Sequence, residues 1–343
     1  MACLWHRPYR DAGDAGQGVG GDRRSVCAVS PGGSAHPDRP LTGIAFKVTS
    51  VVAFVAMSST IKAAGPLPAG EVVFFRSFFA MLPIMAFLAL RGDLAKAFHT
   101  ARPFSHVARG CVGVTAMGLG FYALARLPLP EAITLNYAQP LLVVVFSAII
   151  LRETIRVYRW SAVVVGLLGV FIIAWPKLTL FGGAGSFGGD EAAGVIAALA
   201  AAGASALAMI LVRSLVHTEK TGTIVLWFSL SATVLSLVTI PFGWSALTAG
   251  QAALLVCAGI CGGIGQLLMT EGYRHAEASV VAPFEYTSMI FGIAVGYLLF
   301  GDVPTLHMLV GGAIVVGAGL FIILRERQLG IERAKAREAA PPQ

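Results

Sequence analysis

Charge is scarce in this chain. Only 13% of its 343 residues are Asp, Glu, Lys or Arg, about half the roughly 25% of a water-facing domain, so most of its surface meets something apolar. Cysteine is scarce too, and its placement excludes a disulfide frame. Cys3 and Cys27 fall in a polar stretch, while Cys111, Cys257 and Cys261 fall in apolar ones. Cys257 and Cys261 share a helix face, but no His or carboxylate beside them in sequence completes a metal-ligand set; they read as small packing residues. Short segments of alternating polarity are lacking, which excludes a β-barrel. There is no G-x-x-x-x-G-K followed by Ser or Thr, so ATP drive within this chain is not expected. No signal-peptide core precedes residue 41, so the first apolar stretch is expected to persist as a helix.

What the chain has is apolar length. Hydrophobic residues make up 56% of it, and mean hydropathy is +0.77. Stretches of about 18 to 24 apolar residues recur, enough to cross a hydrocarbon core of roughly 30 Å. Backbone polar groups in lipid must pair internally, so these stretches are helices. The spans expected are Leu41–Ala64, Gly70–Leu90, Val107–Ala125, Pro130–Leu151 and Trp160–Trp175, then Ala192–Val212, Thr223–Ile240, Ala252–Tyr273, Ala278–Phe300 and Pro304–Leu324. The fold class is therefore an all-α integral membrane protein of ten transmembrane helices. Residues 1–40, rich in Gly, Asp, Arg and Pro, are expected to be a disordered cytoplasmic tail. Residues 41–175 form a first five-helix repeat, 176–191 a Gly-rich connector, 192–324 a second repeat, and 325–343 a basic cytoplasmic tail.

Basic residues follow this topology, which accounts for the net charge of +7 without nucleic acid. With both ends inside, the inner loops hold Arg91, Lys96, Arg102, Arg152, Arg156, Arg159, Arg213, Lys220 and Arg274, and the outer loops and edges only Lys62, Arg126 and Lys177. That bias is the positive-inside rule, and it places both termini in the cytoplasm of a bacterial inner membrane. Five spans per half force the second half to enter from the opposite side, so homologous halves form an inverted repeat. Laying 121–153 on 270–302 matches Asn136-Tyr137 with Glu285-Tyr286, Glu153 with Asp302, and Arg126 with His275.

Glu285 lies in Ala282-Pro-Phe-Glu-Tyr-Thr-Ser of the ninth span. An intramembrane acid faces a partner or a cavity, and Pro283 loosens the backbone beside it. Asn136, Tyr137 and Gln139 precede Pro140 in the fourth span, the same grammar in the other half. A proline kink whose carbonyl is satisfied by a side-chain amide is the bland alternative. Arg76 stands among four phenylalanines in Phe74-Phe-Arg-Ser-Phe-Phe. It could hold a carboxylate, pair with Glu71 or Glu285, or snorkel. Arg109 and Lys47, near span ends, read as snorkelling residues. Glu271, Arg274, His275 and Glu277 read as a solvated charge cluster. The pairs Gly259–Gly263 and Gly292–Gly296 let helices approach closely.

Several segments carry a resemblance: Phe75-Arg-Ser in the second span, Pro140 in the fourth, Leu151-Arg-Glu-Thr followed by Arg159-Trp-Ser-Ala-Val-Val-Val-Gly, and Phe300-Gly-Asp-Val-Pro before the last span. Over residues 41–324 the chain resembles the EamA type of the drug/metabolite transporter superfamily. The resemblance implies ten helices, an inverted five-plus-five repeat, a central cavity and no cofactor. It also implies a secondary transporter of a small organic metabolite. The residues themselves make Glu285, Tyr286, Arg76, Asn136, Tyr137 and Gln139 the expected substrate or coupling residues. Ala282-Pro-Phe-Glu-Tyr looks most like the branch that includes S-adenosylmethionine importers; riboflavin and amino acids are the other substrates considered. Partners expected are the substrate and the lipid bilayer, with a homodimer allowed for. The competing readings are an intramembrane enzyme, which would need a catalytic set such as H-E-x-x-H that the sequence lacks, and a structural subunit of a membrane complex.

Overall fold

The computed structural model describes residues 40–100, 102–150, 156–178, 190–216, 219–275 and 278–338. Ten helices there are long and apolar enough to cross a membrane: Leu41–Ala63, Ala69–Leu90, Pro103–Leu124, Leu129–Ile150, Val157–Lys177, Asp190–Val212, Gly222–Phe242, Ala249–Gly272, Pro283–Phe300 and Leu306–Leu329. They are numbered here as the first to tenth spans. The protein is an all-α membrane protein, and among the described residues there is no strand. The last helix continues from Leu306 to Glu338, well past the expected end of the tenth span at Leu324. Most of residues 1–40, and Gly182–Gly189 of the connector, lie outside the described residues.

Span packing follows the order that two equivalent halves require. The first span packs on the eighth, and the sixth on the third. Exchanging the halves turns each of these pairs into the other. The second span meets the seventh, the fourth the ninth, and the fifth the tenth; these pairs map onto themselves. The seams are made close by glycine. A Cβ at Gly263 of the eighth span would stand 2.6 Å from the Ala80 carbonyl of the second. One at Gly292 of the ninth would stand 2.6 Å from Ile133 of the fourth. Both glycines belong to the small-residue pairs read from the sequence. Close backbone approach gives dispersion contacts where lipid supplies no hydrophobic drive between helices.

Two spans are interrupted, and proline dictates where. Pro140 has no N–H, and its ring clashes with the carbonyl four residues back, that of Asn136. The fourth span accordingly runs as Leu129–Asn136 and Ala138–Ile150, broken at Tyr137. In the ninth, Pro283 lies in a tight 3₁₀ stretch, Ala282–Tyr286, between Ala278–Val281 and Thr287–Phe300. Neighbouring hydroxyls serve the carbonyls of that stretch: Thr287 Oγ1 donates to the Phe284 carbonyl at 2.6 Å, and Ser288 Oγ to that of Glu285 at 2.7 Å.

Candidate functional site between the two halves

The interruptions of the fourth and ninth spans meet each other. The Tyr137 and Tyr286 rings stand edge to face with centroids 5.1 Å apart, a geometry worth about 0.5–1.5 kcal/mol beyond its area. The Tyr137 hydroxyl donates a short hydrogen bond to Ser288 Oγ, whose own proton goes to the Glu285 carbonyl, and lies 3.5 Å from the Tyr286 carbonyl. The Tyr286 hydroxyl points at the tenth span, where a Cβ on Gly319 would overlap it. Only a glycine leaves room for that ring.

Glu285, one residue earlier, forms an ion pair with Lys47 of the first span. Lys47 is 1% exposed, whereas the Glu285 side chain is 46% exposed. This corrects the reading of Lys47 as a snorkelling residue: its ammonium turns inward to an acid 238 residues away. Glu285 is the third residue of the span Pro283–Phe300, near one end of it. A half-exposed carboxylate within a span faces a partner or a water-lined cavity and not hydrocarbon.

The remaining predicted residues are not all gathered there. Asn136 is exposed and Gln139 half-buried, both beside the break; among the described residues neither amide answers the kink carbonyl. Arg76 is 5% exposed and meets neither acid considered for it. Its Nε lies 3.5 Å from the Met57 sulfur, while Glu71 accepts from the Ser245 amide at 3.1 Å. Arg109 does not reach outward to headgroups; its guanidinium lies over the Phe228 ring of the seventh span, 4.2 Å from the centroid. Glu271 pairs with Arg91 at 3.3 Å and lies 4.0 Å from His275, and Glu277 is outside the described residues.

At the other end of the first span, Lys62 holds a second ion pair with the ninth-to-tenth connection. Its Nζ lies 3.1 Å from Asp302 and donates to the Leu127 carbonyl at 2.8 Å. Asp302 in turn accepts from the Leu129 amide at 2.9 Å. The first span is thus clasped to the ninth at both ends. Arg126 and Lys177, the other basic residues at the sparsely basic end, are also paired, with Asp190 at 3.9 Å and Glu191 at 2.7 Å. Sequence reasoning missed Lys47 as a partner of Glu285. The available signal was a lysine six residues into an apolar span, which demands an acid somewhere.

The sequence matches the EamA-like transporter family over residues 41–175 and 192–325. The chain belongs to that family. Its EamA relatives include the pseudopaline exporter CntI of Pseudomonas aeruginosa, 32% identical over 81% of this chain and 94% of that protein. A riboflavin transporter of Rhizobium johnstonii is 29% identical over 83% of this chain and 89% of its own length. An S-adenosylmethionine uptake transporter of Rickettsia bellii is 28% identical over 75% and 84%. A crystal structure 19% identical superposes with a TM-score of 0.60 over 82% of this chain and 97% of its own, which shows a shared fold. Membership of an EamA transporter family makes this a transport protein and not an enzyme.

Proposed function

We propose that the protein is a secondary transporter of a small organic metabolite in the bacterial inner membrane, working by alternating access with both termini in the cytoplasm. The observation that carries this reading is the meeting of two interrupted spans, one from each half, at Tyr137 and Tyr286. Broken helices beside polar side chains let backbone and side chains face a substrate, which continuous helices do not. Glu285 sits at that junction with one side to Lys47 and the other exposed, so it serves as the substrate or coupling carboxylate. Tyr286, Tyr137, Asn136 and Gln139 line the same junction in this reading, and Arg76 adds a cation deeper in the seam. Residues 41–175 and 192–324 are the two moving halves, joined through 176–191.

Two ion pairs at opposite ends of the first span, Lys47–Glu285 and Lys62–Asp302, give the halves contacts that can open alternately. A structural subunit has no need of a half-exposed acid at such a junction. The names of the relatives suggest S-adenosylmethionine, riboflavin and pseudopaline as substrates to try, with amino acids beside them. The test is a thermal-stability screen of the purified protein against these compounds, followed by uptake into proteoliposomes of whichever compound stabilises it. A ligand at 100 times its Kd raises stability by about 2.7 kcal/mol. Absence of any stabilisation together with absence of uptake across the set would sink the substrate assignment.

A further inference from the structure

We infer that Arg76 is an anion subsite that receives a carboxylate group of the transported molecule, a substrate class that rests on the transporter reading above. Arg76 is the eighth residue of the helix Ala69–Leu90, about 10 Å from its start at 1.5 Å per residue. It is 5% exposed, so it is held within the bundle and not at a headgroup. Its Nη1 is enclosed and has no hydrogen-bond partner among the described residues. Its Nε has only the Met57 thioether, 3.5 Å away, and a thioether is a weak acceptor that carries no charge. Both acids able to neutralise it are engaged elsewhere, Glu71 with the Ser245 amide and Glu285 with Lys47.

The guanidinium also lies in a seam between the halves. Met57 and Arg76 belong to the first half, and Gly262 to the second. A Cβ at Gly262 would stand 3.0 Å from Arg76 Nε and 3.3 Å from Nη2, so the planar group rests against bare helix backbone. A rearrangement that parts the halves would uncover it without breaking an ion pair. A buried charge left without a counter-ion is retained against its cost only where something else supplies that counter-ion. The fork of the guanidinium matches a planar carboxylate through two parallel N–H donations. One guanidinium balances one negative charge, which suits a carboxylate better than a phosphate dianion.

The test uses the full-length protein in detergent, with potassium acetate, succinate and phosphate as probes, each balanced against potassium chloride at constant ionic strength. Acetate or succinate should raise the thermal midpoint of the wild type saturably, and more than phosphate does. Arg76→Met should abolish that rise while folding with a midpoint at or above that of the wild type. Arg76→Lys keeps the charge without the fork and covers the case in which the Met variant does not fold; its carboxylate affinity should fall about tenfold, the lower end for losing one hydrogen bond to a charged group. Equal carboxylate shifts in wild type and Arg76→Lys, a phosphate shift as large as the carboxylate one, or no carboxylate shift in the wild type would each overturn the subsite. Uptake separates this from the wider reading. Metabolite uptake that persists without a carboxylate shift removes the subsite alone, whereas a saturable shift without uptake counts against transport and leaves the subsite standing.

Discussion

Tyr137 and Tyr286 occupy matched places in the two halves, and they touch. Their rings pack edge to face at 5.1 Å, and the Tyr137 hydroxyl reaches the Tyr286 carbonyl. The contact ties the fourth span of the first half to the ninth span of the second. Both tyrosines sit beside a proline-directed break in their helix, which places the candidate site where these two spans meet.

The contact between the halves can be measured through its hydroxyl. Tyr137→Phe should lower stability by about 0.5–1.5 kcal/mol, the net worth of an ordinary hydrogen bond. Ser288→Ala should do the same, and the double variant should cost less than the sum, because both changes remove one interaction. Thermal unfolding of the four proteins closes the cycle; strict additivity would show that the Tyr137–Ser288 bond contributes nothing.

Glu285→Gln should abolish or strongly reduce metabolite uptake. It also removes the charge that the buried Lys47 ammonium pairs with, and because Glu285 is half-exposed the cost should stay below the about 3–5 kcal/mol of breaking a fully buried pair. Stability should therefore fall together with uptake, and replacing Lys47 by Met in the same protein should recover the stability but not the uptake. Unfolding and proteoliposome uptake measured on one preparation distinguish the two effects. Full uptake by Glu285→Gln would remove this acid from the site.

The Lys62–Asp302 pair predicts a gate at the opposite end from Lys47–Glu285. A bis-maleimide bridge between cysteines placed at 62 and 302, in a background free of native cysteine, should stop uptake. The same two cysteines unbridged should leave at least part of it. Unchanged uptake in the bridged protein would show that this end does not open during transport.

Topology offers a test independent of substrate. Reporter fusions after Arg102, Arg159 and Arg337 should read cytoplasmic, and fusions after Gly65, Lys177 and Gly243 periplasmic. The reason is the nine basic residues of the inner loops against three at the outer ones. In the structure those three, Lys62, Arg126 and Lys177, are all engaged by local acids, which reduces further the free positive charge at that end. A periplasmic C-terminus would rule out this orientation.

What the sequence determined by itself was local or repetitive. Apolar length set the ten spans, because a helix must be long enough to cross hydrocarbon whatever packs beside it. Pro140 and Pro283 set the two interruptions, since a missing N–H and a bulky ring act on the preceding turn of their own helix. Gly263 and Gly292 marked two close seams. Partnership was decided by tertiary structure alone. Lys47 and Glu285 are 238 residues apart, and neither side chain carries in sequence the helix rotation that turns it toward the other. The same holds for Lys62 with Asp302, and for Arg76, which the packing leaves without an acid although Glu71 lies five residues away in its own helix. Spacing along one helix fixes which side chains share its face; which face meets which depends on how ten helices cross, and only the assembled bundle settles that.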